Sequence, residues 1–242
     1  KLAKDELRDA KGEPPKPEKE KPEVEKPVEE MGKTERQEHE IKLESSRVEQ
    51  VVERFKAAGA DTSAQRAAVK EIYRSNYRDV RLEGMKKLAD VLLGQEEVPT
   101  KQLNDLIFKD VDPAFRFEIA QYIANARPDA YAFDMAAGQA MQISVPSLAA
   151  ENLLMLSRSM ADNQIPNSTV NEFVKVQLGK IRENSPELVS LWCDLARAEQ
   201  LGGNDYLPAM RQADAISEGL TIPAQKMRAR GDVARAWASL GL

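Results

Sequence analysis

Residues 79–92 read DVRLEGMKKLADVL and residues 110–124 read DVDPAFRFEIAQYIA. In the first, Leu82, Met85, Leu88, Ala89 and Leu92 recur at intervals of three and four, which puts them on one face of a helix; in the second, Phe115, Ile119 and Tyr122 do the same. A stripe that covers one face needs another surface to bury it, so each helix predicts a neighbour.

The pattern continues to the C-terminus. Ala149, Leu153, Leu156 and Met160 form a third stripe, Leu188, Leu191, Trp192 and Leu195 a fourth, and Val233, Trp237 and Leu240 a fifth. Between them fall Pro99, Pro113, Pro128, Pro146, Pro166, Pro186, Pro208 and Pro223, at successive spacings of 14, 15, 18, 20, 20, 22 and 15. Each interval is one helix plus a turn, and proline is tolerated in the first helical turn, where its missing N–H costs nothing. The prolines therefore mark helix starts. Taking every second one, 113, 146, 186 and 223, gives steps of 33, 40 and 37, in the range of two-helix repeats. The partner helices are expected near 63–75, 101–108, 129–143, 168–182 and 205–217. The expected fold is all-α: over residues 61–242, a right-handed stack of about five antiparallel helical hairpins with one continuous core.

Two stretches carry a family resemblance. Asp79-Val80-Arg81 before LEGMKKLADVL, and Asp110 to Arg116 before FEIAQYIA, resemble the HEAT repeat, with its inter-helix aspartate and the Val/Phe-Arg that opens its second helix. Arg81 and Arg116 stand 35 residues apart, one repeat. The resemblance implies that Asp79 and Asp110 cap helix ends and that Arg81 and Arg116 pair with acidic groups of a neighbouring repeat, a structural signature. It covers residues 62–126. Beyond them the match lapses, since Ala149 and Val189 stand where Arg116 would predict a basic residue, and a TPR-like α-solenoid describes the later hairpins equally well. Both families bind partners, and neither implies chemistry.

Upstream of the array, residues 11–30 read KGEPPKPEKEKPEVEKPVEE, with five prolines. Such a segment cannot bury a core and favours extended polyproline II, so residues 1–33 are expected to be a disordered Pro/Glu/Lys linker, a semi-rigid spacer in preference to the alternative of a ligand strand for another protein. Residues 34–60 are expected to form one amphipathic helix: Ile41, Val48 and Phe55 recur at seven, Val51, Val52 and Ala58 share their side, and Gly59 supplies a stop. Glu44 falls where a coiled-coil seam needs an apolar residue, which favours packing on the first repeat. The chain opens at Lys1 without methionine, so a processed form or fragment is expected, with an upstream signal or anchor left open.

Composition bounds the function. Hydrophobic residues make up 42%, charged residues 31% and aromatics 5%, which suits aliphatic helix packing; a net charge of -5 provides no global field for nucleic acid or anionic lipid. No apolar run is long enough to span a bilayer. The compartment is left open between cytoplasm and periplasm, with membrane tethering through an upstream segment as a further alternative. The single cysteine, Cys193, lies in the apolar run 188–195 and reads as a small buried hydrophobe. His39, between Glu38 and Glu40, reads as a solvated side chain with no cysteine near it. Phosphate loops, dinucleotide fingerprints and zinc-protease motifs are all missing, and Gly202-Gly203 reads as a helix stop. No catalytic residue, metal or cofactor is assigned.

The strongest signal outside the core is a basic and aromatic cluster, Tyr73, Arg74, Tyr77, Arg78, Lys86 and Lys87, with Arg81 in its midst. Helical arrays hold acidic peptides or phosphate backbones with such groups; in the plainer reading Tyr73 packs inward and the cations solvate a face. A second set, Arg211, Lys226, Arg228, Arg230 and Arg235, is interleaved with Asp214, Glu218 and Asp232 and reads as a solvated end cap. The expected function is a non-catalytic scaffold or adaptor that binds a protein partner within a larger complex, with nucleic-acid binding as the alternative.

Overall fold

The computed structural model describes residues 32–59, 61–97 and 100–241. The linker expected over residues 1–33 lies outside them as far as residue 31, as does Pro99. The chain divides into two units, Lys1–Glu40 and Ile41–Leu242. In the first, the described residues are Gly32 and the opening turns of helix α1 (Lys33–Ala58), whose start is fixed by Gly32 N–H donating to Glu35 Oε2.

The second unit holds the rest of α1 followed by α2 (Thr62–Ile72), α3 (Arg78–Leu93), α4 (Thr100–Ile107), α5 (Pro113–Ala126), α6 (Ala130–Ala140), α7 (Pro146–Asp162), α8 (Ser168–Leu178), α9 (Pro186–Leu201), α10 (Leu207–Gly219) and α11 (Pro223–Ser239). Among the described residues there is no strand, and the fold is all-α.

The helix ends follow from local chemistry. Pro113, Pro146, Pro186, Pro208 and Pro223 occupy the first turns of α5, α7, α9, α10 and α11. Pro128 and Pro166 stand one residue before the N-caps Asp129 and Asn167. The Asp61, Asp112, Asp129 and Ser185 side chains accept from the first free N–H groups of α2, α5, α6 and α9. Gly59 and Gly203 end α1 and α9 with φ of 52° and 72°, a left-handed conformation that glycine adopts without strain.

The stripes are buried as expected: Met85, Leu88, Leu92, Phe115, Ile119, Leu153, Leu156, Leu195 and Val233 all lie in one hydrophobic cluster running from α1 to α11. Trp192 and Trp237 are only partly buried against it, and so is Tyr122. Placed on the apolar face by its spacing, it is only half-buried, because its hydroxyl reaches out to donate to Asp90 Oδ1 at 2.6 Å.

Which helices lie closest differs from the expected hairpins. The tightest consecutive pairs are α5 with α6, α7 with α8 and α9 with α10, each joining the second helix of one expected hairpin to the first of the next. These helices bury alanines, among them Ala120, Ala124, Ala136, Ala140, Ala209 and Ala213, whose small side chains let axes approach. The second helices also stack, α3 on α5, α7 on α9 and α9 on α11, so α9 is enclosed by α7, α8, α10 and α11. Packing thins at the other end: α4, of eight residues, lies lightly on α3 and α5, and α2 lightly on α3.

A buried polar knot ties α7, α8 and α9 together. Asn167 Nδ2 donates to Ser157 Oγ (2.9 Å) and to the carbonyl of Ala198 (3.0 Å), while its Oδ1 accepts from Asn204 Nδ2 (2.9 Å). Ser157 Oγ donates to Asn171 Oδ1 at 2.5 Å. Beside the knot, the buried Glu199 carboxylate meets Lys175 Nζ at 2.7 Å. Burial drives the Glu199 pKa up against the pull of that ammonium; for Lys175, burial is outweighed by Glu172 and Glu199, and its pKa is also raised.

Gly202 is where the knot touches the backbone: a Cβ there would stand 2.0 Å from Asn167 Oδ1, whereas at Gly138 it would meet nothing within 4 Å. Gly202→Ala is therefore expected to cost about 3 kcal/mol, through overpacking and a broken buried hydrogen bond. Gly138→Ala is expected to be neutral or stabilising by up to about 1 kcal/mol. Chemical denaturation of the two variants checks the contrast.

Candidate functional site

Ile72 ends α2, and the turn to α3 is made by Ser75, whose hydroxyl accepts from the backbone N–H of Tyr77 (3.3 Å) and whose carbonyl accepts from Arg81 Nη1 (2.9 Å). Arg81 is thus spent on its own turn. The acidic partner expected of it is held instead by Arg78, one helical turn earlier, which donates to Glu118 Oε1 on α5 at 2.6 Å and lies 5.5 Å from the centre of the Phe115 ring. The hydrogen bond to Glu118 is the main reason its pKa is raised, burial working against it. Arg116 does reach the next hairpin, but to an amide: Nη2 donates to Gln142 Oε1 at 3.0 Å. Asp79 lies exposed in the first turn of α3, where its charge favours the helix dipole without a capping bond. Asp110 Oδ1 accepts from Asp112 N–H at 2.9 Å and so shapes the turn in which Asp112 caps α5.

The six residues of the basic and aromatic cluster do not form one patch. The Tyr73 ring packs inward, 6.0 Å from Phe115 and tilted by 56°, and its hydroxyl is covered; burial, then the nearby Asp110 carboxylate, raise its pKa. Tyr77 is half-buried against the core at the N-cap of α3. Lys87 turns toward α1 and pairs with Glu49 at 3.6 Å. Arg74 is exposed and makes no ion pair with the described residues. Arg78 and Lys86 face a groove of about 670 Å³ between α3, α5 and α7.

That groove is the candidate site. Lys86 Nζ sits 5.6 Å from the centre of the Tyr122 ring. The bond to Asp90 is the main cause that pushes the Tyr122 hydroxyl up to about 12. The opposite wall comes from α7: Leu148 and Met155 line the groove at 39% and 48% exposure, with Asn152 between them. It opens here because α5 and α7 have little direct packing; Ser159 Oγ donating to Asn125 Oδ1 at 2.7 Å ties them at one end. The walls therefore offer exposed apolar side chains, the Tyr122 ring, amides, the Lys86 ammonium and the Arg78–Glu118 ion pair. Leu148 and Met155 carried no sequence signal, since an exposed apolar residue next to a stripe looks like part of it.

The one cysteine and the one histidine are both covered to some degree. Cys193 is 1% exposed, and burial pushes its thiol up to about 11. His39 is partly covered. Among the described residues no group of three or more His, Cys, Asp or Glu side chains could hold a metal ion, and no helix is long and apolar enough to cross a membrane. The second basic set is largely neutralised: Arg230 and then Lys226 hold Glu218, keeping its carboxyl below its usual range, Arg228 pairs with Glu187 and Arg235 with Asp232. No family model, curated protein or solved structure matches the chain.

Arg78→Ala removes a half-exposed ion pair and a ring contact, so it is expected to cost about 1 kcal/mol, and Arg74→Ala less than about 0.5 kcal/mol; urea denaturation separates them. The Cys193 thiol, raised from an ordinary 9.0 to about 11, gives an alkaline prediction. The folded state holds this proton more tightly, so the thiol's contribution to stability is whole below pH 9 and is lost as pH climbs towards 11. Cys193→Ala is expected to flatten the fall of the denaturation midpoint across that window; parallel slopes for both proteins would contradict it.

Proposed function

We propose that this chain is a non-catalytic scaffold or adaptor: a right-handed, HEAT-like or TPR-like stack of about five helical hairpins that holds a protein partner within a larger complex, tethered by its Pro/Glu/Lys segment. The observation that carries this reading is the groove between α3, α5 and α7, where Leu148, Met155 and Tyr122 are displayed beside Lys86 with no reactive group among them. Apolar anchors rimmed by polar groups are what a protein interface uses. The consecutive packing of α5 through α11 supports the repeat architecture, since each helix buries its stripe against its neighbours.

Nucleic-acid binding is less favoured. It needs several free cations along one track, and Arg78, the most central of the cluster, is already paired with Glu118.

Affinity isolation with the full chain tests the proposal. A protein is expected to be retained in stoichiometric amount, and Arg74→Glu with Lys86→Glu, which disturb no ion pair, are expected to weaken it roughly tenfold. Full retention by the double variant would remove the groove from the interface. Retention of nucleic acid alone, lost steeply with salt, would replace the proposal with the alternative.

A further inference from the structure

A second groove lies on another part of the Ile41–Leu242 unit, between α2 and α4, and none of the sequence signals above pointed to it. It encloses about 600 Å³. Its apolar lining comes from four helices: Phe55 of α1, Val69 of α2, Leu92 of α3 and Leu106 of α4, all buried. Phe108, just past the end of α4, stands at its edge, 49% exposed. The groove exists because α4 is a helix of only eight residues lying lightly on α3. The later first helices α6, α8 and α10 are longer and pack closely on α5, α7 and α9.

Its charge is one-sided. Arg66 and Lys70, one turn apart on α2, border it from one side, and Lys101 and Lys109, near the two ends of α4, from the other. Asp105 is the one acidic residue in the lining. Among the described residues, none of these four cations has an ion pair or hydrogen bond to a side chain. Cations elsewhere in the unit commonly do: Arg47 and Arg54 meet Glu71, Lys87 meets Glu49, Arg78 meets Glu118, and Arg158 meets Asp194. Four cations around an apolar floor, with Asp105 the one carboxylate in the lining, leave a local excess of positive charge among the described residues, in a chain of net charge -5.

We propose that the α2–α4 groove is a docking site for a short, extended, acidic segment of a partner protein, carrying one bulky apolar side chain as its anchor. The anchor lies on the Phe55, Val69, Leu92 and Leu106 floor against Phe108, and flanking carboxylates meet Arg66, Lys70, Lys101 and Lys109. A helix of eight residues is about 12 Å long, which accommodates about three or four extended residues, so the recognised unit is a short linear motif. Charge complementarity sets specificity and the rate of encounter, and the anchor supplies the affinity. A nucleic-acid strand is disfavoured, because a phosphate backbone has no use for an apolar floor. The proposal rests on the reading of this chain as a binder of a protein partner, and adds a second contact to it with its chemistry.

The test is selection of displayed random 12-residue peptides on the intact chain, followed by fluorescence titration of the enriched peptides, with a single-stranded oligonucleotide titrated in parallel. Two variants are compared with the parent: Arg66→Glu with Lys70→Glu, and Phe108→Ala, each checked for unchanged helicity and melting. Enriched peptides are expected to combine Asp or Glu with a Phe, Leu or Trp, to weaken tenfold or more on the charge-reversed variant, and to weaken several-fold on Phe108→Ala. Peptides without acidic residues, no enrichment at all, or acidic peptides indifferent to both variants would overturn it. So would an oligonucleotide that binds more tightly than any peptide and is lost on the same charge reversal, or self-association of the parent abolished by these variants, which would make the occupant a second copy. Peptides lost on Arg74→Glu with Lys86→Glu but kept on the α2 variant would overturn this groove and leave the adaptor reading standing; the adaptor reading itself fails only if affinity isolation retains no protein.

Discussion

Each helix of the array is apolar on one side only, so its burial depends on the helices before and after it. The constraint is met most fully from α5 onward, where the second helix of each expected hairpin presses against the first helix of the next and the buried alanines between them allow close approach. The centre of this cohesion is α9. It carries Leu195, Ala196 and Ala198, all fully buried, and receives the Asn167 side chain on its Ala198 carbonyl. A buried amide with its partners in place costs little, and with one displaced costs about 1–3 kcal/mol. The knot therefore fixes how α7, α8 and α9 sit rather than adding much to net stability.

Charge pairs follow the same logic of neighbours. Arg54 with Glu71, Arg78 with Glu118, Arg158 with Asp194 and Arg228 with Glu187 each join two different helices. All are largely exposed and individually worth little. Their effect is on register, and on which cations stay available: pairing removes Arg78 and Lys87 from the surface field, while Lys86 over Tyr122 and the four cations around the α2–α4 groove make no ion pair with the described residues. The end with thin packing is also the end with uncompensated charge, and both proposed contacts include helices from it.

The helices and their buried faces were legible in the sequence because they depend on local spacing. The stripe of Leu82, Met85 and Leu88, the prolines that open α5, α7 and α9, and the glycines that end α1 and α9 all act through their own helix. The packing of Cys193 was legible for the same reason. What could not be read depends on partners distant in sequence. Arg81 and Arg78 are one turn apart on α3, and which one bridges to α5 is decided by Ser75 and Glu118, six and forty residues away respectively. Tyr122 fits the apolar spacing but is drawn outward by Asp90, 32 residues earlier. Asn167, Ser157, Asn171 and Asn204 look like loop and surface residues until folding brings them together. The α2–α4 groove is set by the shortness of α4, and its cations, scattered from Arg66 to Lys109, form no run in the sequence.

The central claim is that burial against neighbours is dense from α5 to α11 and sparse at α2 and α4, leaving a groove between them. Native-state amide hydrogen exchange on the intact chain measures this helix by helix, since protection reports the free energy of local opening. The account predicts slow exchange throughout α7, α8 and α9 and markedly faster exchange in α2 and α4. Protection in α4 equal to that in α8 would contradict it, because a helix that well buried could not border an open groove.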